Sequence, residues 1–151
     1  MRPRILVPCV LALVLAGAVA LSLASRRRPA AGLVDGALRP CPERPACVSS
    51  QAPEGPLRVD PLLLRDDPHA AFGRAVGIVD AWPRTTLVTL TERYAHFELV
   101  TPFLRCREDL ELALDPEARV LHVRSAARVG TFDFGSSRAR VDRLRRALEG
   151  R

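Results

Sequence analysis

The run ILVPCVLALVLAGAVALSLA, residues 5–24, holds twenty residues without a charge, and it sets the first limit on what this chain can be. A helix of about 20 apolar residues spans the hydrocarbon core of a bilayer. Arg2 and Arg4 precede the run, and Arg26, Arg27 and Arg28 follow it. Pro8 falls in its first turn, where a missing N–H costs little. Two readings compete. One is a retained membrane anchor; the other is a cleaved secretory signal, with AVA at 18–20 and SLA at 22–24 as small-residue cut sites. The run exceeds the usual signal core of about 7–15 residues, which favours the anchor. Cys9 lies near the start of the run rather than after it, so it reads as a small apolar residue and not as a lipidation site.

Charge separates the same two regions. The formal net charge is +6, and all 23 basic residues are arginine. Five of them flank the apolar run, leaving eighteen arginines against seventeen acids after residue 28, a balance of +1. The basic excess therefore belongs to the membrane flank. A nucleic-acid groove would need that excess on the folded part, so no nucleic-acid partner is expected. The arginines on the two sides of the run nearly balance, and they leave its orientation open.

Compartment then depends on CPERPACVSS, residues 41–50. Cys41 and Cys47 enclose a loop stiffened by Pro42 and Pro45. A zinc knuckle needs four ligands, and neither a second close pair nor clustered histidines exist to supply them. A redox pair normally has two intervening residues at a helix start, not five between prolines. A disulfide fits best, free thiols being the alternative, and disulfides persist in oxidising compartments. This favours a single-pass protein of a bacterial inner membrane with its domain in the periplasm, or a secreted protein if the signal is cleaved. Ser49 and Ser50 have no base nearby in sequence and no nucleophile elbow around them, so they read as turn formers. Cys106 reads as a buried thiol on the apolar side of a strand.

Periodicity supplies the elements. Residues 1–28 read as the anchor or an uncleaved signal, 29–40 as a tether, and 41–150 as the folded domain. Within it, Asp66 or Asp67 can cap a helix that starts at Pro68, with Phe72, Ala75, Val76 and Val79 as its apolar stripe. Strands follow at 85–91, 94–101, 108–114 and 119–128. A last helix carries Val141, Leu144 and Leu148, capped by Ser136 or Ser137. The order predicts an α+β fold: an antiparallel sheet of about four strands with two helices packed on one face, preceded by an N-terminal transmembrane helix. Reading DPEA (115–118) as a four-residue turn sets Leu112 opposite Leu121, Glu111 opposite His122 and Asp109 opposite Arg124.

Three ordered blocks, CPERPACVSS, EDLE at 108–111 and RSAARVGTFDFGSSRARV at 124–141, resemble a bacterial and plant family known as domain of unknown function 1499. The resemblance covers about residues 40–148. It departs from the family pattern at Ala46, Glu108, Ala127 and Ser137, where the family carries Asn, Asp, Ser and Asn. It implies a membrane-associated or exported protein. It assigns no activity and carries over no catalytic residue.

Strand parity places Tyr94, His96, Glu98, Asp109, Glu111, His122, Arg124 and Arg128 on the sheet face away from the helices. Three uses of that face compete. The first is a lattice of structural ion pairs facing solvent. The second is a binding face, in which Arg124, Arg128, Arg138 and Arg140, oriented by Asp133, receive an anion at the start of the last helix. The partners implied are membrane lipid through the N-terminal helix and an anionic small molecule or envelope partner. The third is a metal-dependent or acid–base enzyme using His96 with Glu98 or His122 with Glu111. No nucleophile, complete ligand set or cofactor motif stands out, so no catalytic residue, metal or cofactor is assigned. A non-enzymatic structural or anion-binding domain is the favoured reading.

Overall fold

The computed structural model describes residues 3–150. Helix α1 (Pro3–Ala24) comes first, followed by four short strands: β1 (Leu33–Val34), β2 (Ala37–Leu38), β3 (Cys47–Ser49) and β4 (Leu62–Leu63). Then come α2 (Pro68–Asp80), β5 (Thr85–Leu90), β6 (Tyr94–Val100), β7 (Arg107–Asp115), β8 (Val120–Ala127) and α3 (Ser136–Leu148). The apolar window Val7–Ala24 in α1 has a mean hydropathy of 2.5, and none of it is buried. By length and composition, α1 can cross a membrane.

Strands β5 to β8 form the expected antiparallel meander, and α2 and α3 cover one of its faces. Asp67 caps α2 by accepting from the backbone N–H of Ala70 at 2.8 Å, and Pro68 takes the first helical position. Phe72, Ala75 and Val79 from α2 and Val141 and Leu144 from α3 meet Phe97, Leu110, Leu112, Leu121 and Val123 of the sheet. Each such large side chain, fully buried, is worth about 1.5–3 kcal/mol. The periodic residues thus do what their spacing predicts.

Two corrections concern the sheet. It has six strands, ordered β3-β8-β7-β6-β5, with β4 also pairing β8. The sequence suggests about four. The additional pair lie along one edge of β8, Cys47–Ser49 against Arg124–Ala126 and Leu62–Leu63 against Val120–Leu121. Strands of two or three residues are too short to show a period.

The second correction is the register of β7 and β8. Asp115 stays in the strand opposite Val120, and the loop runs over 116–119 rather than 115–118. Asp115 Oδ1 accepts from the Ala118 N–H at 2.9 Å, which closes the loop one residue later than expected. Arg119 takes a left-handed backbone (φ 54°), and its guanidinium donates to the carbonyls of Arg65 and Asp66. The pairing therefore moves by two residues. Faces are kept, because strand side chains alternate with period two, but partners change. Glu111 faces Arg124, Asp109 faces Ala126 and Leu112 faces Val123.

Cys41 and Cys47 form a disulfide with their Cα atoms 5.7 Å apart, whereas Cys9 and Cys106 are free. Cys106 is buried, as its parity suggests, and burial followed by the nearby Glu108 charge raises its thiol pKa. On protein from an oxidising compartment, denatured without reductant, thiol counting is expected to find two of the four cysteines blocked. Four free thiols before reduction would remove the cross-link.

Candidate functional site

The polar sheet face is not open to solvent. Glu111 is 0% exposed and Asp109 is 1% exposed; His96, Glu98 and Arg124 are also buried. The cover is the stretch between α1 and β3, part of which the sequence suggests is a tether. Its Gly32 N–H donates to Glu111 Oε1 at 2.9 Å, and Leu38 packs with Tyr94 and Ala113. Ser25, fully buried, accepts from the Arg107 N–H through its hydroxyl at 2.9 Å and from Arg128 Nη1 through its carbonyl at 3.3 Å.

Beneath this cover, each buried carboxylate collects donors. Glu111 accepts from the Tyr94 hydroxyl at 2.7 Å and from Arg124 Nη1 at 2.6 Å, as well as from Gly32. Burial, then the hydrogen bond to Glu111, raises the Tyr94 phenol and keeps it a donor. Asp109 accepts both arms of Arg128, Nε at 2.8 Å and Nη2 at 2.6 Å, and His96 Nε2 at 2.8 Å. Burial alone would raise this carboxyl, but the hydrogen bonds from Arg128 and His96 outweigh it and hold the pKa below the usual range. An ionised carboxylate only accepts, so His96 Nε2 carries the hydrogen. Glu98 lies 2.9 Å from Arg128 Nη1 and 3.0 Å from Arg107 Nη1.

His122, expected opposite Glu111, instead meets Ser50, with Oγ and Nδ1 3.1 Å apart. The same Ser50 oxygen accepts from the Val123 N–H at 2.9 Å, which holds the serine between β8 backbone and the imidazole. Burial lowers the His122 pKa, against an opposing attraction to Asp115. Sequence reasoning missed this contact because 72 residues separate the two side chains.

The four arginines expected at the start of α3 do not converge. Arg124 and Arg128 lie on the covered face. Arg140 pairs with Glu108 and with the Ser125 hydroxyl on the opposite, helix-bearing face. Arg138 Nη2 donates to the carbonyls of Pro56 and Arg58. Asp133 Oδ1 and Oδ2 accept from the Gly135 and Ser137 N–H groups, so this carboxylate, not Ser136 or Ser137, occupies the start of α3.

Arginines do converge elsewhere. A cavity of about 420 Å³ opens between the covered face and its cover, and its walls include Arg27, Arg39, Arg44, Arg124, Arg128 and Asp109. The disulfide forms part of the same wall through Cys41. Cys47 continues into β3, which pairs with β8, so the cross-link ties the Arg44 loop to the sheet. Arg44 then reaches the carbonyls of Ala127 at 3.0 Å, Arg128 at 3.1 Å and Gly130 at 3.3 Å. Asp109 and Glu111 already neutralise Arg128 and Arg124. Among the described residues, Arg27, Arg39 and Arg44 have no acid partner. The Nε atoms of Arg39, Arg44 and Arg124 are buried without a hydrogen-bond partner. Among the described residues, no group of three or more His, Cys, Asp or Glu is placed to hold a metal ion.

Fold and site together define an α+β domain that joins an apolar helix to a covered, charge-paired sheet with an arginine-lined cavity. The chain belongs to the family described as protein of unknown function DUF1499, whose model matches residues 37–148. No curated protein and no solved structure matches the chain.

Two outcomes follow from the buried charges. Removing one partner of a buried pair leaves the other charge stranded, at about 3–5 kcal/mol. Glu111→Ala is expected to destabilise by about that amount in denaturant titration followed by Trp82 fluorescence. Arg74→Ala, which breaks the exposed pair with Asp66, serves as a control expected to cost about 0–1 kcal/mol. Equal effects would contradict a structural role for the Glu111 network. The second outcome concerns pH. Because burial disfavours protonated His122, the unfolded chain takes up that proton first, and stability falls as pH drops below about 6.5. Asp109 stays ionised to lower pH folded than unfolded, so a further loss begins below about pH 3.9. His122→Gln is expected to flatten the first phase and leave the second; an unchanged first phase would refute the assignment.

Proposed function

We propose that this protein is a membrane-anchored anion-binding domain, held by α1 at a bacterial inner membrane with its folded part on the periplasmic side. One observation carries the reading: five guanidinium groups and one carboxylate line the same cavity. Guanidinium groups recognise carboxylate and phosphate through paired N–H donors. A buried donor without an acceptor is costly, and an anion in the cavity satisfies several at once. The volume suits a small ligand. Arg124 and Arg128 remain in the proposed site; Arg27, Arg39 and Arg44 replace Arg138, Arg140 and Asp133. The disulfide supports the oxidising side of the membrane, since such bonds persist there. The His96–Asp109 pair supports a structural role over acid–base catalysis, because Asp109 is already saturated by Arg128.

The test is a thermal-shift series on the full chain in detergent with phosphate, sulfate, dicarboxylates and anionic envelope fragments. A ligand at about 100 times its dissociation constant adds about 2.7 kcal/mol of stability. Arg39→Ala is expected to abolish that gain with little change in the unliganded midpoint, because Arg39 has no partner to lose. Arg138→Ala is expected to keep the gain. The absence of a shift with every anion, or a shift undiminished in Arg39→Ala and Arg44→Ala, would overturn the proposal.

A further inference from the structure

Three of the five phenylalanines are not in the core. Phe134 is 100% exposed, Phe103 93% and Phe132 65%, and Leu104 is exposed beside Phe103. A folded domain seldom leaves so many large apolar side chains in water without a use for them. Their positions are related. Phe103 and Leu104 lie in the loop between β6 and β7; Phe132 and Phe134 lie in the loop between β8 and α3. Glu108 pairs with Ala127, so both loops leave the same end of the sheet.

That end is also where α1 is fixed. The Ser22 hydroxyl donates to the Arg105 carbonyl at 3.2 Å, and Ser25 bonds Arg107 and Arg128. Ser22 belongs to the apolar window Val7–Ala24. With a helical rise of about 1.5 Å per residue, it lies only about 3 Å inside the end of that window. The loop carrying Phe103 and Leu104 is therefore level with the last turn of the apolar helix. Arg26, Arg27 and Arg105 are exposed beside it and complement anionic headgroups. Phe134 keeps its outward position on a left-handed backbone (φ 52°), a conformation uncommon for a bulky residue.

We infer that the loops at 101–106 and 128–135 enter the headgroup region of the leaflet from which α1 emerges. The occupant of this apolar surface is lipid, and the domain rests on the bilayer through four side chains besides its helix. Apolar loop tips with neighbouring arginines bind an anionic interface by the same balance that holds interfacial amphipathic segments. The inference rests on the proposed membrane anchoring of α1.

The experiment uses the full chain reconstituted in phosphatidylcholine–phosphatidylglycerol vesicles, with Phe103→Trp and Phe134→Trp made separately. Trp82, buried beneath Arg143, gives a background measured in the unsubstituted protein. The added tryptophan is expected to emit at shorter wavelength than in detergent-free water. Lipids brominated near the headgroup are expected to quench it more than lipids brominated near the chain end, while aqueous iodide quenches it weakly. Alkaline extraction of the same vesicles reports on α1 independently. Protein that resists extraction while its new tryptophans stay open to iodide and unaffected by brominated lipid overturns the inference and leaves the anchor standing. Protein released by extraction overturns both. Quenching that arises only in native membranes assigns the surface to a protein partner and also overturns the lipid assignment. The double variant Phe103→Ser, Phe134→Ser is expected to keep the thermal midpoint in detergent and to lose interfacial protection of both loops from protease in vesicles. Unchanged protection would count against the inference.

Discussion

Two buried carboxylates two residues apart on β7, Asp109 and Glu111, set the terms for everything on their side of the sheet. An ionised carboxylate removed from water must recover its lost hydration from fixed donors. Arg124 on β8, Arg128 just past its end, and Tyr94 and His96 on β6 supply most of them. One more donor comes from outside the sheet, the Gly32 N–H to Glu111, while Ser25 accepts from Arg128 and from the Arg107 N–H. The segment after α1 thus covers the network and supplies one of its donors, and α1 is continuous with the domain rather than loosely attached to it.

The disulfide belongs to the same arrangement. The five residues between Cys41 and Cys47 include two prolines and have little internal hydrogen bonding, and cross-linking the loop fixes Arg44 against the end of β8. Arg39 and Arg44 then line the same cavity as Arg124 and Arg128, four like charges whose repulsion grows as water is excluded. The network beneath neutralises two of them. The cavity stays strongly positive because the cover brings arginines but no acid to its wall.

Much of the scaffold was legible because periodic burial leaves a periodic sequence. The stripes of α2 and α3 and the alternation in β6, β7 and β8 assign faces correctly even where the hairpin register is off by two. Register itself depended on Asp115, which can belong to a strand end or a turn, and only the backbone choice of Arg119 decides between them. The candidate site was less legible. Arg124 and Arg128 follow from strand parity, but Arg27, Arg39 and Arg44 lie in aperiodic chain, where no local pattern says which sheet residues they meet. The same reason hides β3, β4 and the Ser50–His122 contact. Asp133 misled in a different way: a carboxylate near a helix start can orient an arginine or satisfy the helix amides itself, and here it does the latter.

The absence of slack between Ala24 and Ser25 has a consequence for how a ligand would be met. Ser25 is buried against the sheet at the point where α1 ends, and Arg27, two residues on, already lines the cavity. With α1 in a bilayer, the mouth of the cavity cannot swing away from the surface, and its search is confined to two dimensions. A ligand attached to the same surface is held near the cavity at an effective concentration of roughly millimolar, the scale set by short linkages. A contact of modest strength would then stay occupied at surface densities whose bulk equivalent would leave the cavity mostly empty, and filling it from solution would take a higher concentration of the same anion.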